Sequence, residues 1–110
     1  MRPRETVMIV LAPAIAVVLA GCSDTGSAPN PAAERGRQVY LAQCTACHNS
    51  DPAQAGPVGP PLKGAAPAVL EAKVVRGTYP PGYAPKRPTS LMPPQPALAP
   101  EIPALAAFLK

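Results

Sequence analysis

The chain has 110 residues, a formal net charge of +4, 18 prolines, one phenylalanine and no tryptophan. A chain of this length accommodates one small domain. Because it has few large aromatic side chains, that domain would be only marginally stable unless another group fills its core. The positive charge is too small for the clustered basic face of a nucleic-acid-binding protein, although a few lysines can steer a protein toward an acidic partner.

The beginning of the chain has the pattern of an export signal. Arg2 and Arg4 form a basic start, and positions 7–20 are uncharged and apolar. A membrane-spanning helix needs about 20 apolar residues, so the pattern predicts a secretory signal peptide over 1–21. The sequence Leu-Ala-Gly-Cys that ends at Cys22 resembles the bacterial lipobox, in which the cysteine is acylated and becomes the first residue. The alternatives are an ordinary cleaved signal with a free thiol, or an uncleaved anchor.

Residues 22–30 are mostly small and polar, without periodicity, and predict a flexible tether to the lipid. The domain itself is predicted to begin with a helix, because Asn30 is a good N-cap and Pro31 suits the first helical position. Further residues then recur at helical spacing and lead toward the next motif: Ala33, Gly36, Val39, Tyr40 and Gln43.

The run Cys44-Thr45-Ala46-Cys47-His48 contains the only histidine. On a helix, residues i and i+3 share a face, so both thiols can reach the vinyl groups of one haem while the next residue directs an imidazole to the iron. This is the attachment pattern of c-type haem. It predicts one covalent haem c on Cys44 and Cys47, with His48 as an axial ligand. Such a haem would also supply the apolar mass that the composition lacks.

Three other interpretations of this run fit the sequence less well. A structural zinc site needs four ligands, usually as two pairs, and the sequence lacks a second histidine. A thioredoxin-like redox pair would need a βαβ setting, for which no alternating strand pattern is present. A chance Cys-x-x-Cys is the third, and the adjoining histidine argues against it. With Cys22 assigned to lipid and two cysteines to haem, none is left for a disulfide.

The remainder of the chain alternates between helices and loops rich in proline. The segment from Asn49 to Gly64 predicts a loop. Pro67 to Arg76 predicts a second helix, with Gly77 as its C-terminal cap. Thr78 to Pro100 contains eight prolines and predicts an extended, constrained loop.

The last predicted helix begins at about Pro100 or Pro103 and runs to Lys110. It places Ile102, Leu105 and Phe108 on one face. No segment has the alternation of a strand, so the sequence predicts an all-α protein.

These features together resemble class I cytochrome c, a family of small, all-helical proteins with one haem, here on a bacterial lipoprotein anchor. The resemblance covers 32–110. Gly36 and Tyr40 occupy the places of the glycine and aromatic residue of the family's N-terminal helix, and Leu105 and Phe108 those of its C-terminal helix. The resemblance implies three or more short helices around the haem, with the two terminal helices crossing at the glycine.

The run Gly59-Pro60-Pro61-Leu62-Lys63-Gly64 resembles the family's Gly-Pro-x-Leu-x-Gly loop. The resemblance implies that the carbonyl group of Pro60 accepts a hydrogen bond from the ring of His48. Such a bond fixes the tautomer and the orientation of a ligating imidazole. It also implies that Leu62 packs on the face of the haem.

Met92 is the one methionine outside the predicted signal, and Ser90-Leu91-Met92-Pro93-Pro94 is similar to the family's Met-Pro ligand loop. It is therefore predicted to be the second axial ligand, and a thioether there favours ferrous iron and raises the reduction potential. Lys73, Lys86 or a vacant position are the alternatives. Tyr79 and Tyr83 are candidate donors to a haem propionate or to the methionine sulfur, or else packing residues.

The sequence thus predicts a monohaem electron carrier held by lipid on Cys22 at the periplasmic side of a bacterial membrane. Its partners would be a redox donor and acceptor with an acidic docking face, and it would act as a monomer or within a respiratory complex. One rival is the cytochrome subunit of a periplasmic dehydrogenase or oxidase. The other is a haem peroxidase or gas-binding protein, which needs an open iron position. No other catalytic constellation is present in the sequence.

Overall fold

The computed structural model describes Gly21 and residues 28–110, so all but the last residue of the predicted signal peptide and most of the tether lie outside the described residues. All regular secondary structure in the described part is helical, which confirms the all-α prediction. In chain order these segments are helix α1 (Pro31–Gln43), helix α2 (Pro67–Leu70), a π-helix (Glu71–Val75), a 3-10 helix (Pro96–Glu101) and helix α3 (Ile102–Leu109).

Helix α1 begins where the sequence predicts. The backbone of Asn30 is extended, and its side-chain oxygen accepts hydrogen bonds from the amides of Ala32 and Ala33 at 3.0 and 3.4 Å. The first turn of a helix has amide groups without intrahelical partners, and this cap satisfies two of them. The helix ends at Gln43, so the prediction that the cysteine motif lies on a helix is corrected: the motif follows the helix as a separate turn.

Helices α1 and α3 cross at Gly36. A Cβ atom at this position would overlap the carbonyl group of Ala104 and lie 2.9 Å from Cβ of Phe108. Only glycine permits backbones to approach this closely. One turn further along α1, the fully buried ring of Tyr40 packs against Phe108 with 5.4 Å between ring centroids. The expected crossing of the two terminal helices is confirmed.

The middle helix spans the predicted range from Pro67 to Arg76, but its form differs from a regular α-helix. It is α-helical to Leu70 and then widens into a π-helix over Glu71–Val75. We identify no sequence signal for this change. The predicted cap is confirmed, because Gly77 has a φ of +69° and its amide donates to the carbonyl of Lys73 at 3.0 Å.

The prediction of a continuous loop from Thr78 to Pro100 is wrong in its last part. Residues 96–101 form the 3-10 helix that leads directly into α3. Proline is acceptable at the start of a helix because the first amides have no intrahelical partner, and here each of the two helices has a proline at its beginning.

The hydrophobic core lies where α1, the middle helix and α3 meet. Five side chains from outside these helices pack against it: Cys44, Leu62, Ala65, Met92 and Leu98. The core itself consists of Val39, Tyr40, Leu70, Val74, Ile102, Leu105, Ala106 and Leu109. The core therefore lies next to the predicted haem-binding residues Cys44, Leu62 and Met92.

Candidate functional site

The cysteine motif forms one helical turn after α1. The amide of His48 donates to the carbonyl of Cys44 at 2.9 Å, and the amide of Cys47 reaches the same carbonyl at 3.3 Å. Although the motif is outside the helix, this hydrogen-bonding pattern keeps the two cysteines one turn apart. Both cysteines and the histidine line one cavity of about 200 Å³.

The two thiols lie in different environments. Cys44 packs against the hydrophobic core, and burial raises the pKa of its thiol to about 11. It is therefore protonated at neutral pH and packs as a small apolar group. Cys47 is exposed at the rim of the cavity.

His48 is the one buried polar side chain in the described part of the chain. Its Nδ1 lies 2.9 Å from the carbonyl oxygen of Pro60. A carbonyl oxygen can only accept, so Nδ1 carries the proton and the lone pair of Nε2 is free. A Cβ atom at Gly59 would lie 2.5 Å from Nδ1 of His48, so glycine is required for the ring to fit.

Gly56 is a residue that sequence reasoning missed. A Cβ atom there would lie 2.6 Å from the amide nitrogen of Asn49, so the loop can approach the cysteine turn only because this residue is glycine. The same loop donates two amide hydrogen bonds, from Val58 and Gly59, to the carbonyl of Cys47. The only signal in the sequence is a second glycine close before the Gly-Pro motif.

Three adjoining cavities of about 330, 200 and 90 Å³ form a crevice beside the core. All three are lined by the same three residues, His48, Leu62 and Met92. The structure thus brings the predicted histidine, leucine and methionine to one crevice, although they are widely separated in sequence.

Aromatic and basic side chains also line the cavity of about 330 Å³. Tyr79 and Tyr83 are stacked with 5.3 Å between ring centroids, and both line this cavity. The ammonium group of Lys73 lies 4.6 Å from the centroid of Tyr79, within the range of a cation–π interaction. The ammonium group of Lys86 donates to the carbonyl oxygen of Pro61 at 2.8 Å.

Charges are unevenly distributed over the described residues. Three arginines are paired with glutamates, namely Arg35 with Glu101, Arg37 with Glu34 and Arg76 with Glu71. The three cations that line the crevice have no acidic partner within the described part: Lys73, Lys86 and Arg87. The crevice therefore has a positively charged rim.

Comparison with known families gives one match. A model of the family described as cytochrome c oxidase, cbb3-type, subunit III matches residues 31–109. The chain belongs to this family. It is a class I c-type cytochrome with the small all-α cytochrome c fold, and its cofactor is covalently bound haem c. No curated protein and no solved structure matches the chain significantly.

The crevice of this cytochrome suits a haem. Its surface is mainly apolar, which fits a porphyrin, and its basic rim fits the two propionates. The free Nε2 of His48 and the thioether of Met92 line the same space and are donor types that bind haem iron. In the described residues, no group of three or more His, Cys, Asp or Glu side chains forms another metal site.

This chain belongs to a family of cytochrome c domains, which are typically periplasmic or extracellular. Of the helices in the described part, none has the length and apolar character needed to cross a membrane.

Proposed function

We propose that this cytochrome is a single-electron carrier in which Cys44 and Cys47 hold the haem, and His48 and Met92 are the axial ligands. The observation that carries the proposal is that His48 and Met92 line all three cavities of one crevice. Haem c, when bound, supplies a one-electron iron couple. The protein sets the potential of that couple and the access to it.

The histidine side is supported by the hydrogen bond between Nδ1 of His48 and the carbonyl of Pro60. This bond holds the ring in one orientation, leaves Nε2 available and increases its basicity as a ligand. Leu62 would pack on the face of the haem, since it lines all three cavities of the crevice.

Ligation by Met92 is supported by the contacts of the two lysines that are the alternative ligands. Lys73 lies over the ring of Tyr79, and Lys86 donates to the carbonyl of Pro61. Met92 is half-buried, packs against the core and has no other polar role. Tyr79 and Tyr83 are retained as candidate donors to a propionate, because both line the cavity of about 330 Å³.

The positive rim suits a redox partner with an acidic docking face. Lys73, Lys86 and Arg87 would steer such a partner toward the crevice, since they carry charge without an acidic neighbour. Leu91, which is 71 % exposed, lines the cavity of about 90 Å³ together with the exposed Val58. Two exposed apolar side chains within a basic rim are suited to a brief protein contact that excludes water.

A second candidate function is that of a cytochrome subunit in a respiratory oxidase or dehydrogenase complex, and the description of the matching family favours it. Co-purification with a catalytic subunit from native membranes would distinguish a subunit from a free carrier. In either case we propose that lipid on Cys22 and the tether over 22–30 hold the domain at the periplasmic side of the membrane.

The ligand set is tested by Met92→Ala. If Met92 ligates the iron, the oxidised wild-type protein has a weak absorption band near the red end of the spectrum, and the variant loses it. The variant should also have a markedly lower reduction potential and bind carbon monoxide when reduced. Ser90→Ala is the matched control, because this residue of the same loop is exposed, lines none of the three cavities and should leave all three properties unchanged. Rapid carbon monoxide binding by the reduced wild type would instead indicate a haem enzyme or sensor.

A further inference from the structure

Residues 79–94, here called the methionine loop, are attached at both ends to the middle helix. Before the loop, the amide of Thr78 donates to the carbonyl of Ala72 at 3.0 Å. After it, the amide of Gln95 donates to the carbonyl of Val74 at 2.6 Å. The loop is rich in proline, which has no amide hydrogen, so few backbone donors are available to hold its middle part.

A single hydrogen bond joins the interior of the methionine loop to another part of the described chain. It runs from the ammonium group of Lys86 to the carbonyl oxygen of Pro61 at 2.8 Å. Lys86 lines the same cavity of about 330 Å³ as Met92 and His48. The remaining polar attachment of the loop is the contact of Tyr79 with Lys73, which lies at its beginning.

The acceptor of this bond is adjacent to the acceptor that orients the histidine. Nδ1 of His48 donates to the carbonyl of Pro60, and Lys86 donates to the carbonyl of the next residue, Pro61. Both residues are prolines, so their φ angles are restricted, which limits how far the two carbonyl groups can turn relative to each other. Two consecutive carbonyl groups therefore link the histidine side of the crevice to the methionine loop.

We propose that Lys86 is a positioning residue for Met92: its hydrogen bond to Pro61 straps the methionine loop across the crevice and holds the sulfur in register with His48. This inference rests on the proposed ligation by Met92. An external ligand can replace the sulfur only after the loop has moved away. Breaking the strap should therefore increase the population of the open loop and accelerate ligand entry.

The test uses the full haem-loaded chain and compares three variants with the wild type. Lys86→Leu removes the donor without introducing a sulfur that could bind the iron, and Lys86→Arg restores a donor. Lys63→Leu is the matched control, because it removes the same charge from an exposed lysine that makes no side-chain hydrogen bond in the described structure. The readout is the rate at which neutral imidazole binds to the oxidised protein, together with the red absorption band of methionine ligation.

Loss of one hydrogen bond changes a local opening equilibrium by about threefold to tenfold, so imidazole binding to Lys86→Leu should be accelerated by about that factor. Lys86→Arg should return the rate toward that of the wild type, and Lys63→Leu should not change it. A wild-type protein without the red band overturns the proposed ligation and the strap with it. A normal band with equal rates in wild type and Lys86→Leu overturns the strap alone. Equal acceleration by Lys63→Leu also overturns it, because charge would then be the cause.

Discussion

At the scale of single residues, glycines at close contacts determine which surfaces can meet. Gly36 allows α1 to approach the carbonyl group of Ala104, and Gly59 leaves room for the ring of His48. Neither position has a positive φ, so the requirement is for space rather than for an unusual backbone conformation. A side chain as small as that of alanine would displace its neighbour in both places.

Gly36→Ala should therefore decrease the free energy of unfolding. The added methyl group would overlap backbone, which cannot rotate away, and overpacking of this kind costs about 1–3 kcal/mol. The higher helix propensity of alanine, about 1 kcal/mol, offsets only part of this cost. Denaturant titration of the haem-loaded protein measures the change. Gln38→Ala, at an exposed position of the same helix, should change stability by less than about 0.5 kcal/mol. A Gly36→Ala protein as stable as the wild type would contradict the close crossing.

At the scale of elements, the ends of helices are where local sequence has the clearest effect. The cap at Asn30 and the glycine at position 77 both lie where their residue types predict. The form of the middle helix could not be predicted from local sequence, since the helix propensities of a few residues do not distinguish an α-helix from a π-helix. Its last turns instead offer carbonyl groups to the two ends of the methionine loop.

The cap at Asn30 gives a prediction at this scale. Asn30→Ala removes the acceptor for the amides of Ala32 and Ala33, and loss of such a cap costs about 1 kcal/mol. Asn30→Asp should retain most of the stability, because a carboxylate accepts the same hydrogen bonds and interacts favourably with the helix dipole. Urea denaturation followed by circular dichroism compares the two. Equal destabilisation by both substitutions would contradict the capping role of the side-chain oxygen of Asn30.

At the scale of the whole molecule, the crevice interrupts the core. The described hydrophobic core is small, and Leu62, Met92 and Cys44 contact it from the crevice side. Without a haem, their apolar surfaces would face water, and a domain of this size has little other burial to offset the entropy of folding. The cofactor is thus part of the core as well as the redox centre.

We therefore expect the double variant Cys44→Ser, Cys47→Ser to contain little stable helix when it is produced without haem. Far-ultraviolet circular dichroism measures helix content, and the haem-loaded wild type is the reference. Extraction with acid–acetone provides the accompanying control: thioether bonds should keep the colour with the wild-type protein. A haem-free variant with a cooperative thermal transition and full helix content would show that the polypeptide forms its core alone.

The proposed anchor is a second property of the molecule as a whole. Wild-type protein should partition into membranes and detergent, because each buried acyl methylene contributes about 0.8 kcal/mol of membrane affinity. Cys22→Ser should not be processed by the lipoprotein peptidase, whereas Ser23→Ala, next to it, should be processed and acylated. Mass spectrometry of the N-terminal peptide distinguishes these cases. An unacylated, soluble wild type would contradict the anchor.

The sequence by itself determined the class of the protein and most of its helices. The Cys-x-x-Cys-His spacing, the N-cap at Asn30 and the glycine at 77 are local signals, since each depends on residues within one or two turns. Local patterns therefore predicted the start of α1, the position of α3 to within two residues and the covalent cofactor.

Only the tertiary structure decided how the crevice is assembled. It brings His48, Leu62 and Met92 to one space, adds the basic rim and connects Lys86 to Pro61. It also placed the cysteine motif on a turn after α1 and replaced part of a predicted loop by a 3-10 helix. These features depend on contacts between residues far apart in the chain. Such contacts are set by the packing of whole elements, which residue periodicity does not encode.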